Sequence, residues 1–209
     1  MSNPSIQPTN VPSGWEYDPA GWSQRLPIAA LAMGGFGIAT YLTLWQYGAI
    51  EQVWEPFFSG ADGANGTETV LDSRLSRPFV DLLGWQWLPF PITDAALGAA
   101  AYLADAVTGV WGGPGRWRRI PWLVIIFAIL VGPLGAISVA LVISQPLLVD
   151  AWCTLCLASA LVSALMIGPA MDEALASCQH LKRVASDPDR SAWKAFWGYD
   201  EEAARWRFW

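Results

Sequence analysis

The stretch "PWLVIIFAILVGPLGAISVALVI", Pro121 to Ile143, carries no charge, and its most polar side chain is a serine. A helix of this length crosses a bilayer, which takes roughly 20 apolar residues. Gly132 and Pro133 sit at its middle, and the proline, lacking an amide donor, predicts a kink there. Composition agrees with a membrane protein, since 54% of the 209 residues are hydrophobic and only 14% are charged.

Working outward from this segment, three further spans follow. The first covers about 27–47, "PIAALAMGGFGIATYLTLWQY", and the second about 93–111, "TDAALGAAAYLADAVTGVW", with Asp105 near its far end. The last covers about 151–171 and opens on "AWCTLC". The pattern predicts an all-α membrane protein, a four-transmembrane-helix bundle occupying residues 26–175. Gly34, Gly35, Gly37, Ala96 and Ala100 recur at the spacing that lets membrane helices approach closely. Residues 1–25 form a polar segment without the apolar core of a cleaved signal peptide, so the first span reads as a retained anchor. Residues 51–92 form a long outer loop, and 176–209 an aromatic-rich tail.

Orientation follows from the basic residues. The short connection "GGPGRWRRIP" holds Arg116, Arg118 and Arg119 with no acid, which predicts a cytoplasmic position. Both termini are then cytoplasmic in a plasma membrane, and the loop and the turn "SQPLLVD" face outward. A formal charge of -6 with no basic stripe argues against a nucleic-acid partner.

Cys153 and Cys156 are two of three cysteines, placed at the outer start of the last span. Cys178 cannot be their partner, because a helix rising ~1.5 Å per residue carries it roughly 33 Å away. It reads as a small apolar residue. No metal is expected, since a zinc site wants four ligands and the single histidine, His180, lies at the opposite face. Two readings of the pair remain: small packing residues, or a redox couple. Three residues apart in a first helical turn, the sulfurs share a face, and the free amides of a helix N-terminus stabilise a thiolate.

Several strings together resemble the vitamin K epoxide reductase family over about residues 35–175: "YLTLWQYGAI" with "VWEPFF", "TVLDSRLSRPF", "DAALGAAAYL", "RWRRIPWLV" and, most specifically, "QPLLVDAWCTLCLASALVSALM". The resemblance implies a thiol/disulfide oxidoreductase in which Cys153 and Cys156 pass electrons to a membrane quinone, ubiquinone or menaquinone. Cys153 would take the solvent-side role and Cys156 would meet the quinone ring. The implied electron donor is a thioredoxin-like protein outside the membrane. The family's second cysteine pair, in the outer loop, falls here at or near Ser59 and Thr67, which form no disulfide. A family tyrosine one turn beyond the second cysteine corresponds to Ala160, which points to a respiratory quinone rather than vitamin K epoxide.

The resemblance also implies a polar group near Asp94 that donates to a quinone carbonyl; Asp94 donates only when protonated, and Thr93 or Asp94 equally suits a helix N-cap. Tyr102 and Tyr41 read as quinone-pocket walls or as packing residues. The tail "SAWKAFWGYDEEAARWRFW" reads as an amphipathic cytoplasmic segment at the lipid headgroups or as a docking element for subunits of a larger membrane complex. Trp54, Trp85 and Trp87 read as interfacial anchors. Without loop cysteines, a non-catalytic accessory subunit built on the same bundle is the alternative function.

Overall fold

The computed structural model describes residues 10–60, 63–76 and 92–199. Among these residues the regular structure is helical, and the one extended pairing is an isolated antiparallel bridge between Ser59 and Asn65. The helices are α1 (Trp22–Gln46), α2 (Gly66–Asp72), α3 (Asp94–Val110), α4 (Arg116–Arg119), α5 (Pro121–Leu148), α6 (Thr154–Ala185) and α7 (Ala192–Phe196), with a 3₁₀ turn at Arg74–Ser76. Trp85, Trp87 and the last ten residues of the tail lie outside the described residues.

Three helices, α1, α5 and α6, are long and apolar enough to cross a membrane. The helix expected as the second span, α3, has 17 residues, at the short limit for crossing. α1 packs most extensively on α3, and α5 on α6, with α6 also against α1. Ile28, Ala32, Tyr102, Phe127, Val131 and Met166 belong to the central core, while Met33, Leu103, Ile129, Leu161 and Leu165 lie exposed around the bundle, as lipid-facing side chains would.

Each long helix exceeds the span read from hydropathy. α5 begins with Pro121 in its first turn, where a missing amide costs nothing, and continues through Pro133 and Pro146 to Leu148. α6 runs 32 residues, well beyond 171, because Ala176, Ser177, His180 and Val184 are also buried. Residues 10–21 pack against its C-terminal half. Trp15 Nε1 donates to Gln179 Oε1 at 3.1 Å, Tyr17 Oη donates to Asp172 Oδ2 at 2.7 Å, and Ala20 joins Trp117 and Ala176 in a cluster. At the same end α7 folds back, bringing Trp197 within 6.1 Å of Trp122.

α1 begins five residues before the expected span and takes in Arg25, which is fully buried. Its guanidinium donates to the carbonyls of Gly109, Trp111 and Gly112 at 2.7–2.8 Å. Arg116, also buried, donates to the carbonyls of Thr108, Gly109 and Trp111 and pairs through two nitrogens with Glu173. The last carbonyls of a helix have no partner within it, and two arginines supply them here. Arg116 therefore serves the fold as well as the charge bias read from the connection.

The small-residue seam is narrower than the sequence implies. Gly34 and Gly37 face open space, whereas a Cβ on Gly35 would lie 2.5 Å from the Tyr102 ring; Gly98 and Gly109 meet Ala39 and Ala29. Gly35→Ala is thus expected to destabilise the bundle by about 1–3 kcal/mol, the cost of forcing a methyl into a packed core. Gly37→Ala should leave thermal unfolding in detergent nearly unchanged, and equal melts for the two variants would refute the close contact.

Candidate active site

Cys153 and Cys156 are joined across the first turn of α6, with their Cα atoms 5.2 Å apart. Cys153 is the N-cap, and its Sγ accepts from the Cys156 amide at 3.0 Å. The Cys153 amide donates to Gln145 Oε1 at 3.1 Å. Gln145, buried near the end of α5, therefore fixes the turn that presents the pair.

The two sulfurs have different surroundings. Cys156 is half-buried and lines a cavity of about 150 Å³ with Leu42, Asp94, Tyr102, Gln145 and Ser159. A cavity of that size accepts one six-membered ring. Its walls are mainly apolar, and Ala160 contributes to them. A second cavity of about 290 Å³ adjoins it, sharing Asp94 and Tyr102 and extending to Asp105 and Met166.

Cys153 has no exposed surface. This differs from the solvent-side position expected for it. Val70 and Ala151 pack beside it, and α2 lies so near that a Cβ on Gly66 would fall 2.5 Å from the Trp152 carbonyl oxygen. The cause is the outer loop, which folds over the start of α6. Asn65 caps α2 by accepting from the Glu68 amide and donates to the Val53 carbonyl, while Glu68 accepts from the Val53 amide.

Glu55 links that loop to α6. Its carboxylate accepts from Thr67 Oγ1 at 2.5 Å, from the Thr154 amide at 2.8 Å, from Thr154 Oγ1, and from the amides of Phe57 and Phe58 at 3.1 and 3.2 Å. Burial pushes the Glu55 pKa up, but the hydrogen bonds from Thr154, Thr67 and the backbone outweigh it and bring it from 4.5 down to about 2. The Thr154 amide, at the first helical position beside the cysteines, is thus already occupied by a carboxylate.

The sequence-predicted residues separate into two groups. Asp94, Tyr102 and Cys156 meet at the cavity. The Tyr102 hydroxyl donates to the Ser159 carbonyl at 2.7 Å and lies 2.7 Å from Ser163 Oγ. Asp94 occupies the first turn of α3, while Thr93 is the N-cap, its side chain accepting from the Ala96 amide. Tyr41 is not part of the cavity lining; its hydroxyl accepts from the Trp54 amide at 3.2 Å, and its ring packs against the cluster of Leu42 and Val53. Ser59 sits at the isolated bridge, exposed, and Thr67 is buried under Glu55. Cys178 is a free, exposed thiol farther along α6. Sequence reading missed Glu55, Gln145 and Ser163. All three fall inside the strings "VWEPFF" and "QPLLVDAWCTLCLASALVSALM" that carry the resemblance, but no spacing or residue type in those strings singles them out.

A helix long and apolar enough to cross a membrane thus begins with a joined Cys-x-x-Cys pair beside a ring-sized cavity. Residues 26–170 match the Vitamin K epoxide reductase family, and the chain belongs to that family. No curated protein and no solved structure matched. The family is one of membrane thiol–quinone oxidoreductases.

Because the folded state lowers the Glu55 pKa, its ionised form contributes stability that is fully present above pH 4.5 and lost as pH falls from there through about 2. Amide protection factors of α2, corrected for the intrinsic pH dependence of exchange, should therefore be unchanged between pH 5 and 8 and fall below pH 4. A fall already near pH 6 would contradict the Glu55 contacts.

Proposed function

We propose that the chain is a quinone-linked thiol/disulfide oxidoreductase of the plasma membrane, taking electrons from a thioredoxin-like dithiol partner through Cys153 and Cys156. The observation that carries this reading is the placement of Cys156 on the wall of a cavity sized for one ring. The cavity residues fit such a ligand: the walls are apolar, and Asp94, Tyr102, Ser138 and Gln145 offer polar atoms at its edge. A bound quinone, the single ring of ubiquinone or, with the adjoining cavity of about 290 Å³, the fused rings of menaquinone, would supply a two-electron, two-proton acceptor. Cys156 would face its ring, Tyr102 and Asp94 would orient its carbonyls, and Ala160 would leave the space that a larger side chain would fill. Burial of Cys153 keeps water and stray thiols from the pair between turnovers.

Four crossings belong to this reading, with α3 as the short second span. Its inner end is fixed in place by Arg25 and Arg116. Lysine and arginine gather at the α4 end of the bundle, with Arg118, Arg119, Lys182 and Arg183, whereas Arg74 is the one basic residue among the described residues at the cysteine end. That bias supports an inward α4 and an outward Cys153. The tail, with exposed Trp193, Trp197 and Tyr199, then rests at the cytoplasmic headgroups or meets a subunit of a larger complex. A membrane-impermeant maleimide should spare Cys178 in intact cells or spheroplasts and label it in inverted vesicles. Labelling in intact cells would reverse the orientation.

The alternative, a non-catalytic accessory subunit, draws on the absence of sulfur at Ser59 and Thr67 and on the complete burial of Cys153. Purified protein decides between them. With a small dithiol as donor and a soluble quinone as acceptor, Cys156→Ser and Cys153→Ser should each lower turnover at least a hundredfold, because a lone thiol cannot close a disulfide. On adding quinone, the reduced Cys153→Ser protein should show a charge-transfer absorption that Cys156→Ser lacks. Equal turnover and spectra in wild type and both variants would leave the subunit reading.

A further inference from the structure

A sulfur that accepts electrons from another protein must be reached by that protein, yet Cys153 is fully covered. The question rests on the thiol-exchange reading above. The cover is α2, whose Val70 packs beside Cys153 and whose Gly66 approaches the Trp152 carbonyl. One carboxylate holds this cover to the redox helix: Glu55 accepts from Thr67 Oγ1 in α2 and from the amide and hydroxyl of Thr154 in α6. The Phe57 and Phe58 amides hold the carboxylate from a third side. α2 is itself short, 7 residues, and a helix of that length is not stable alone.

We propose that Glu55 is a positioning residue that latches α2 over Cys153, so that a dithiol protein reaches the disulfide only when the Glu55 contacts to Thr67 and Thr154 part. With the latch open, a thiolate of the partner attacks Cys153 Sγ. A bond forms between the two sulfurs, the Cys153–Cys156 bond breaks, and Cys156 leaves as a thiolate facing the cavity. The partner's second thiolate then attacks its own sulfur in the mixed disulfide and releases Cys153 as a thiolate. The partner loses two electrons and becomes a disulfide, and its two protons pass to solvent or to the released sulfurs. With the latch closed, the Glu55 charge also lies beside the helix start and opposes thiolate at Cys153.

The test uses the full chain in detergent micelles, with no quinone and no partner. The probe is a neutral, water-soluble phosphine, tris(hydroxypropyl)phosphine, which Glu55 does not repel. The effect of the Glu55 charge on the thiolate that leaves is separated by Thr67→Val, which keeps that charge, and acceleration in Glu55→Gln alone with no change in α2 exchange would overturn the latch. Reduction of the pair is followed by quenching with an alkylating reagent and mass analysis. Glu55→Gln replaces one acceptor oxygen with a donor and should speed reduction roughly ten- to hundredfold, the range for losing hydrogen bonds to a charged group. Thr67→Val, which removes one hydrogen bond and nearly preserves shape, should give a smaller acceleration in the same direction. Amide exchange should rise in α2 and stay unchanged in α3. Unchanged reduction rates in both variants would overturn the latch, and so would acceleration accompanied by faster exchange throughout α3, which means general loosening. Because the assay contains no quinone, a latch that fails leaves the oxidoreductase reading standing, and a latch that holds in a protein inert toward quinone leaves only the latch.

Discussion

The bundle depends on how α3 ends. The last carbonyls of this 17-residue helix have no partner within it. Arg25 reaches them from α1 and Arg116 from α4, and Glu173 on α6 pairs with Arg116. Four helices thereby meet at one buried polar cluster. Removing a single partner from such a buried pair leaves an uncompensated charge, which costs about 3–5 kcal/mol. The cluster fixes the height of α3 against α1 and α6, and α3 carries Asp94, Tyr102 and Asp105 into the two cavities.

From that anchor the site follows by short steps. Gly35 lets the Tyr102 ring lie close against α1. The Tyr102 hydroxyl then reaches the Ser159 carbonyl and Ser163 on α6, one turn and two turns past Cys156. Those contacts space α3 from α6 and leave the ring-sized opening beside the sulfur. Gln145 completes the arrangement from α5 by holding the Cys153 amide. The cavity is therefore bounded by all four long helices, although only one of them carries the cysteines.

Much of this was legible in the sequence. The apolar runs located the long helices, the Cys-x-x-Cys spacing marked the turn in which Cys153 and Cys156 are joined, and the combination of strings pointed to the right family. Hydropathy misjudged the ends because it scores a residue, not its partners. Arg25 counted as a boundary although its guanidinium is satisfied by helix carbonyls. The stretch from residue 176 counted as tail although Ala176, Ser177, His180 and Val184 are buried. The role of Glu55 was not legible at all, since it arises from contacts to Thr67 and to Thr154, far apart in the chain. Tyr41 shows the reverse case: a tyrosine in the right helix whose hydroxyl is taken by the Trp54 amide instead of the cavity.

The pair is asymmetric, and that asymmetry has a physical origin in the helix start. Cys153 is the N-cap, outside the helix proper, and Cys156 lies within its first turn, so the joined sulfurs meet different neighbours. The outer loop covers the first and the bundle's cavity receives the second. A loop disulfide would hold such a cover covalently and exchange with it; here Ser59 and Thr67 carry no sulfur, and α2 is held to α6 by packing of Val70 and by hydrogen bonds through the Glu55 carboxylate. A hydrogen-bonded cover opens by local unfolding, at a free-energy cost set by few contacts, and needs no electrons to do so. Access to Cys153 then becomes a conformational step separate from the redox step, which a loop disulfide would have merged.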